Sequence, residues 1–436
     1  MTAADIAAAQ DRQQIRKVLL SSYLGSTIEF YDFLLYSTAA SLVFGPVFFS
    51  GLDPLAATVA SFGTFAAGYV ARPLGGLVMG HFGDRLGRKR MLVWSMTIMG
   101  LASFLIGLIP PASVLGSSAA IILVLLRIAQ GVAVGGEWGG AALMALEHSG
   151  ATRRGFATSF TNAGAPSGTV LGTLMMGLFS ALPREEFLAW GWRIPFLFSA
   201  LLLLLGLFVR ARVSESPIFQ AAMAKQATTK PTVPIVQVLR RPKNVLLTAF
   251  GSCAMFALQV TMATFAITYA VDQGADQQTV LFCFAFASFT QIFTVLGCGR
   301  LSDSLGRRPV MISGIVLFIA LLYPMMQWWA SGDGLLVLLA FVVGTTMLSL
   351  VYGPMAAFIS EQFGTTARYT GASLGYQLAT LLGAGLTPLI LTSLYAAGGR
   401  DVAPVMWFLG FVGLISVVAI ACTRESKDNE LTRESD

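Results

Sequence analysis

The chain has 436 residues, of which 55% are hydrophobic and only 11% charged, and its formal net charge is +6. A soluble chain of this length needs charge over its surface, so the apolar excess excludes a water-soluble globule and calls for contact with lipid. The basic balance falls in loops at the membrane surface, which removes the need for a nucleic-acid partner.

Residues 1–17 are polar, and the apolar stretch that follows carries two acids and runs far beyond a signal peptide's core. It reads as a retained first span. A bilayer core takes about 20 mostly apolar residues per helix. Twelve windows qualify in chain order, near 19–49, 55–82, 91–110, 117–147, 155–181, 192–211, 243–271, 277–300, 310–330, 335–361, 369–397 and 402–423. Several exceed a minimal span, as tilted or kinked helices do. The longest polar interruption, 212–242, divides the chain into an N-terminal six-helix bundle (1–211), a cytoplasmic linker (212–242) and a C-terminal six-helix bundle with a short tail (243–436). The expected fold class is an all-α polytopic membrane protein.

Counted over alternating loops, nearly all of the 28 Lys and Arg lie on one side, with only Arg184 and Arg400 opposite. The positive-inside rule then makes both termini and the central loop, counted from Arg210, cytoplasmic. Within that loop Ser216-Pro217 is a helix start, and a second short helix begins at Pro234 and runs towards Arg240 and Arg241. Cys253, Cys283, Cys298 and Cys422 are scattered through apolar segments without metal-ligand spacing, so no disulfide framework and no metal site are expected.

The chain repeats itself. Gly80-His-Phe-Gly-Asp84-Arg85-Leu-Gly87-Arg88 returns at an offset of 219 as Gly299-Arg-Leu-Ser-Asp303-Ser-Leu-Gly306-Arg307. At an offset of 214, Glu147, Gly150, Thr152, Arg154 and Ser159 return as Glu361, Gly364, Thr366, Arg368 and Ser373. Matched loops at matched points make the two bundles pseudo-symmetric and mark transporters that rock two halves about a central site. Each loop has a glycine to turn the chain, an Asp at a helix end and arginines to pair with it. Together these residues read as a cytoplasmic latch, the two-state element that alternating access requires.

On these residues the chain resembles the major facilitator superfamily. The loop 80–90 fits its cytoplasmic signature, and Arg127-Ile-Ala-Gln130-Gly131 is similar to its second signature. More narrowly, the chain resembles the metabolite:proton symporter branch. The segments carrying that likeness are Glu29-Phe-Tyr-Asp32-Phe, Gly135-Gly-Glu137-Trp-Gly-Gly140, Gly191-Trp-Arg193-Ile-Pro-Phe, Glu215-Ser-Pro-Ile-Phe219 and Arg368-Tyr-Thr-Gly371. The resemblance implies proton-coupled uptake of small metabolites: shikimate-like, dicarboxylate and 2-oxoglutarate-like acids or, in one branch, proline and betaine. Osmosensing members carry a long coiled-coil tail, whereas this chain stops soon after the twelfth window, which favours an organic acid over a compatible solute.

Five ionisable residues lie deep within the windows: Glu29, Asp32, Arg72, Arg127 and Glu137. Such groups are costly in lipid and mark functional positions. Glu29 and Asp32, three apart, are neighbours on one helix face. Three acids against two arginines leave one buried negative charge uncompensated, which a proton would relieve. Proton coupling is therefore expected at the Glu29/Asp32 pair, with Arg127 and Glu137 in support. Solute contacts are expected from Arg72, Trp138, Asn162, Gln259, Tyr352, Tyr376 and Gln377, polar or aromatic groups in apolar windows. Arg72 or Arg127 would take a carboxylate. No phosphate loop, paired-histidine zinc motif or nucleophile elbow is present, which speaks against a nucleotide-driven pump and against a membrane enzyme. The expected partners are a small solute, protons and lipid, with no cofactor, and the expected state is a monomer.

Overall fold

The computed structural model describes residues 3–216, 219–220, 223, 234–240, 242–365 and 367–428. Twelve long helical rods carry the fold. They are α1 (Ala3–Leu42), α2 (Pro54–Leu86), α3 (Arg88–Leu108), α4 (Ser118–His148), α5 (Arg154–Ser180), α6 (Arg184–Ala211), α7 (Pro242–Asp272), α8 (Gln277–Leu305), α9 (Arg307–Ala330), α10 (Gly334–Glu361), α11 (Arg368–Ala397) and α12 (Ala403–Ala421). Among the described residues there is no strand. Nine of the twelve are long and apolar enough to cross a membrane by composition alone. The other three are α1, α2 and α5, and two of those carry the intramembrane charges Glu29, Asp32 and Arg72.

The rods match the twelve sequence windows. The first differs most, because α1 starts well before the apolar stretch and ends at Leu42, and Phe44–Phe48 forms a separate short helix. Helix starts follow local chemistry. Asp276 accepts from Thr279 N at 2.8 Å and Asp333 from Leu335 N at 2.7 Å, each satisfying a helix N–H that has no intrahelical partner. In the central loop Pro234–Arg240 is a short helix, as its proline suggests. The start expected at Ser216-Pro217 lies partly outside the described residues.

Packing is densest between α1 and α5, α2 and α4, and α3 and α4 or α6 in the first half. The second half repeats this with α8 on α10, α9 on α10, and α7 on α11 and α12. The halves meet along α5–α8, α2–α11 and α5–α10. Apolar side chains such as Trp407, Leu389, Val70 and Phe282 point outward, as lipid-facing groups do. Two helices lining the space between the halves are interrupted by single π-helical turns, at Thr261–Phe265 in α7 and Leu381–Gly385 in α11. Such turns free backbone groups and recur at functional sites.

Candidate functional site

At one end of the molecule, called here the basic end, two matched devices join the halves. Gly87 and Gly306 turn the chain with φ of 108° and 101°, backbone that side chains disfavour. The turns leave Asp84 and Asp303 facing the first turn of a helix in the opposite half. Asp84 accepts from Tyr369 N (3.1 Å), Thr370 N (3.0 Å) and Thr370 Oγ1 (2.8 Å) at the start of α11. Asp303 accepts from Gly155 N (2.7 Å) and Phe156 N (2.9 Å) at the start of α5. Free N–H groups and the helix dipole both favour a carboxylate there.

Around each Asp lies an ionic cluster. Arg88 donates to Glu147 at 2.9 Å, and Arg368 reaches the same carboxylate at 3.4 Å. In the second half Arg307 bonds Asp303 (2.8 Å) and Glu361 (3.3 Å), with Arg154 in electrostatic range of both acids. Gly80 lies against the Thr370 backbone, while Arg85 is exposed.

A clasp that the sequence reading missed holds each turn. Glu215, just past α6, accepts from Lys89 N at 3.1 Å. Glu425, just past α12, accepts from Arg307 N and Arg308 N, both at 3.0 Å, and Ser426 Oγ donates to Glu361 at 2.6 Å. Glu215-Ser216 and Glu425-Ser426 are a third internal repeat, at an offset of 210, and that pairing was the available signal.

Between the halves is a cavity of about 450 Å³. Its walls include Glu29, Phe33, Tyr69, Arg72 and Thr173 from the first half, and Phe256, Gln259, Gln291, Thr345 and Tyr376 from the second. Lining residues Thr38, Ser180 and Leu281 carry it towards the end opposite the basic one. The Arg72 guanidinium sits over the rings of Tyr69 (4.4 Å) and Phe33 (5.3 Å). Glu29 Oε2 and Gln291 Nε2 are buried with no hydrogen-bond partner among the described residues.

Of the expected solute contacts, Arg72, Gln259 and Tyr376 line this cavity, and Trp138, Asn162, Tyr352 and Gln377 do not. These four form a seam on its basic side. Trp138 stacks on Tyr376 with ring centroids 3.7 Å apart and donates to Asn162 Oδ1 at 2.9 Å. Asn162 Nδ2 donates to Tyr352 O at 2.5 Å, and Gln377 Nε2 to Gly135 O at 3.2 Å, both across the halves. Their helices cross here, so polar groups meet the other half's backbone instead of open space.

The buried charges also sort differently from expectation. Glu29 and Asp32 do not share surroundings. Glu29 faces the cavity, and Asp32 points into the first bundle, accepting from Ser103 Oγ and Ser199 Oγ, each at 2.6 Å. Among the described residues Arg127 is not paired directly with an acid. It lies 3.9 Å over the Tyr36 ring and reaches Asp32 through Gln130 (3.2 Å) and Ser103 (2.6 Å). The charge count of three acids against two arginines is corrected by Arg210. Counted with the loop, it is buried and pairs with Glu137, which also accepts from Ser95 Oγ at 2.5 Å. Arg210 faces inward from the last turn of α6, where span boundaries drawn on hydropathy end.

The profile of the Major Facilitator Superfamily matches residues 23–297 and again 251–435. The chain is 38% identical to the inner membrane metabolite transport protein YhjE of Escherichia coli over 427 residues, 95% of each chain. It is 36% identical to the shikimate transporter of Escherichia coli, covering 94% of this chain and 95% of that one. With the proline/betaine transporter of Salmonella typhimurium it shares 31% over 97% of its length and 86% of the relative's. Its fold is that of the proton:xylose symporter XylE, with a TM-score of 0.79, 16% identity and coverage of 97% and 98%. The chain therefore belongs to the Major Facilitator Superfamily and is a multi-pass membrane transporter of twelve helices in two pseudo-symmetric bundles, not an enzyme.

Proposed function

We propose that the protein is a proton-coupled importer of a small organic acid in a bacterial-type inner membrane, working by alternating access as a monomer. The two bundles, 1–211 and 243–436, rock about the central cavity, and residues 212–242 join them on the cytoplasmic side with both termini. The observation that carries this reading is the cavity that brings Arg72 beside Glu29 below an opening to the far side, with the basic end closed. A buried guanidinium binds carboxylate strongly because water does not compete. Its aromatic neighbours hold it in place, so those rings are occupied by Arg72 and not free to cage a quaternary ammonium. That favours an acid over betaine.

Glu29 stands at the cavity wall with an unpaired oxygen, so it can exchange a proton with the side to which the cavity opens. Asp32, wired to Arg127 through Ser103 and Gln130, is the second candidate carrier. Trp138, Asn162, Tyr352 and Gln377 act as the inner gate in this reading, and Asp84, Asp303 and their arginine–glutamate clusters as the latch. The test is flux into proteoliposomes of purified protein, with labelled shikimate, proline and betaine offered in turn. Accumulation of the acid under an inward proton gradient, abolished by a protonophore, is expected. Preferential accumulation of proline or betaine would overturn the acid reading, and gradient-independent flux the symport.

A further inference from the structure

The Glu137–Arg210 pair has a control built into the same chain. Arg210 makes two hydrogen bonds to the Glu137 carboxylate and a third to Leu92 O. Ser95 Oγ completes the cluster, which lies against Gly25 of α1, where a Cβ would strike both charged groups. Gly25, Ser95, Glu137 and Arg210 correspond through the internal repeats to Gly251, Gly314, Val351 and Ile420. In the second half Ile420 packs on Gly251 and Val351 on Gly314, within one apolar core. The fold is thus satisfied at this place by aliphatic side chains. Burying an ion pair there contributes little to stability and often costs some. The charges call for another explanation.

Their position supplies one. Gly25 is one helical turn from Glu29, whose electrostatic neighbours are Arg72, Glu137 and Arg210. Arg210 lies in the last turn of α6, and five residues later Glu215 clasps the N-terminus of α3. Lys89 ties back to Ala211 O at 3.0 Å, and Arg88 is held between Glu147 and the Phe219 ring, 4.5 Å from its guanidinium carbon. The end of α6 therefore connects the buried carboxylate to the latch.

We propose that Glu137 is a second proton site, and that Arg210 transmits its charge state to the basic-end latch. This rests on the proton-symport reading. A proton passes from the Glu29 carboxyl to the Glu137 carboxylate, leaving Glu29 ionised beside Arg72. Neutral Glu137 loses its charge-assisted hold on Arg210. The end of α6 then relaxes, Glu215 loosens from α3, and the latch opens only after a proton has entered. The other groups facing the cluster are Lys89 on α3 and Tyr369 on α11, whose hydroxyl bonds Gly136 O at 2.8 Å.

The test uses full-length protein in lipid nanodiscs, with spin labels on cysteines replacing the exposed Leu86 and Leu305 in a cysteine-free background. The inter-label distance reads the ratio of open to closed basic ends at alkaline pH. Glu137→Gln, a mimic of the protonated acid, should raise that ratio about tenfold. The triple variant S95G/E137V/R210I, which installs the second half's residues, should fold and remain closed. The proposal is overturned if E137Q keeps the wild-type ratio. It is equally overturned if both variants open alike, or if the triple variant does not fold, since either result makes the pair simple structural support. Failure of symport itself would show separately, as wild-type flux indifferent to a proton gradient.

Discussion

Asp84 caps the helix that starts at Arg368, in the opposite half of the molecule, with three hydrogen bonds between 2.8 and 3.1 Å. Asp303 does the same to the helix that starts at Arg154. Each contact bridges the two halves at the basic end, so in the proposed cycle each biases the closed state. Replacing Asp84 by Ala removes hydrogen bonds to an ionised group, a loss of about 2 kcal/mol or roughly 30-fold in the closed-to-open ratio. The Asp303→Ala change should act alike, somewhat more weakly, with two bonds instead of three. Cysteine accessibility at the basic end, measured on folded protein in membranes, checks both. Unchanged accessibility in the two variants would mean the caps do not hold the latch.

The tail beyond α12 carries a matching role. Glu425 accepts from two consecutive backbone amides at the start of α9, an N-cap supplied from outside the helix. Removing such a cap costs about 1 kcal/mol. Glu425→Ala, or truncation after Thr423, should therefore raise basic-end accessibility several-fold and lower the melting temperature only slightly. Glu215→Ala should do the same for the first half. If truncation leaves both readouts untouched, the tail only anchors at the membrane surface.

How far these features could be read from the sequence varies with the signal behind them. The twelve spans follow from hydropathy because lipid forces every backbone group into a helix. The Asp84 and Asp303 loops were visible because duplication printed them twice. Glu215 and Glu425 were printed twice as well, but two residues make a faint repeat. Arg210 was lost for a different reason: a positive charge at a span boundary looks like a surface anchor, and only the helix's rotation shows it buried. The cavity walls were half legible, since Arg72, Gln259 and Tyr376 line the space while Asn162 and Gln377 turn to the backbone across the seam. Spacing along one helix cannot say which neighbour another helix offers.

Arg72 offers the test of solute chemistry. Its guanidinium is fixed over Tyr69 and Phe33 and presents a planar fork to the cavity. Lysine keeps the charge and loses the fork, so Arg72→Lys should raise the half-saturating concentration of an acid roughly 10- to 100-fold. Direct binding to purified protein of the labelled acid that the flux assay identifies separates this from a turnover defect. An affinity unchanged by the substitution would move recognition to the Gln259 and Gln291 side.

The Asp32 network tests coupling against a second internal control. Asp32, Ser103 and Ser199 correspond through the repeats to Leu258, Leu322 and Leu409, all fully buried in the second half. Leucines thus satisfy packing where the first half spends a carboxylate and two hydroxyls, so a structural role alone does not explain the acid. If Asp32 carries the proton, Asp32→Asn fixes one protonation state while keeping the shape and one acceptor for the serines. Exchange of labelled for unlabelled solute, which needs no net proton release, should then persist within a few-fold of wild type. Accumulation under an inward proton gradient should fall at least tenfold. Glu29→Gln is the parallel variant at the cavity wall, and the two carboxylates can share the proton's work even though they do not touch. A purely packing role predicts that exchange and accumulation fall together, with a lower melting temperature. Should both single variants and their double still concentrate solute in response to the gradient, the carrier is neither residue, and Glu137, buried beside Arg210, becomes the next candidate.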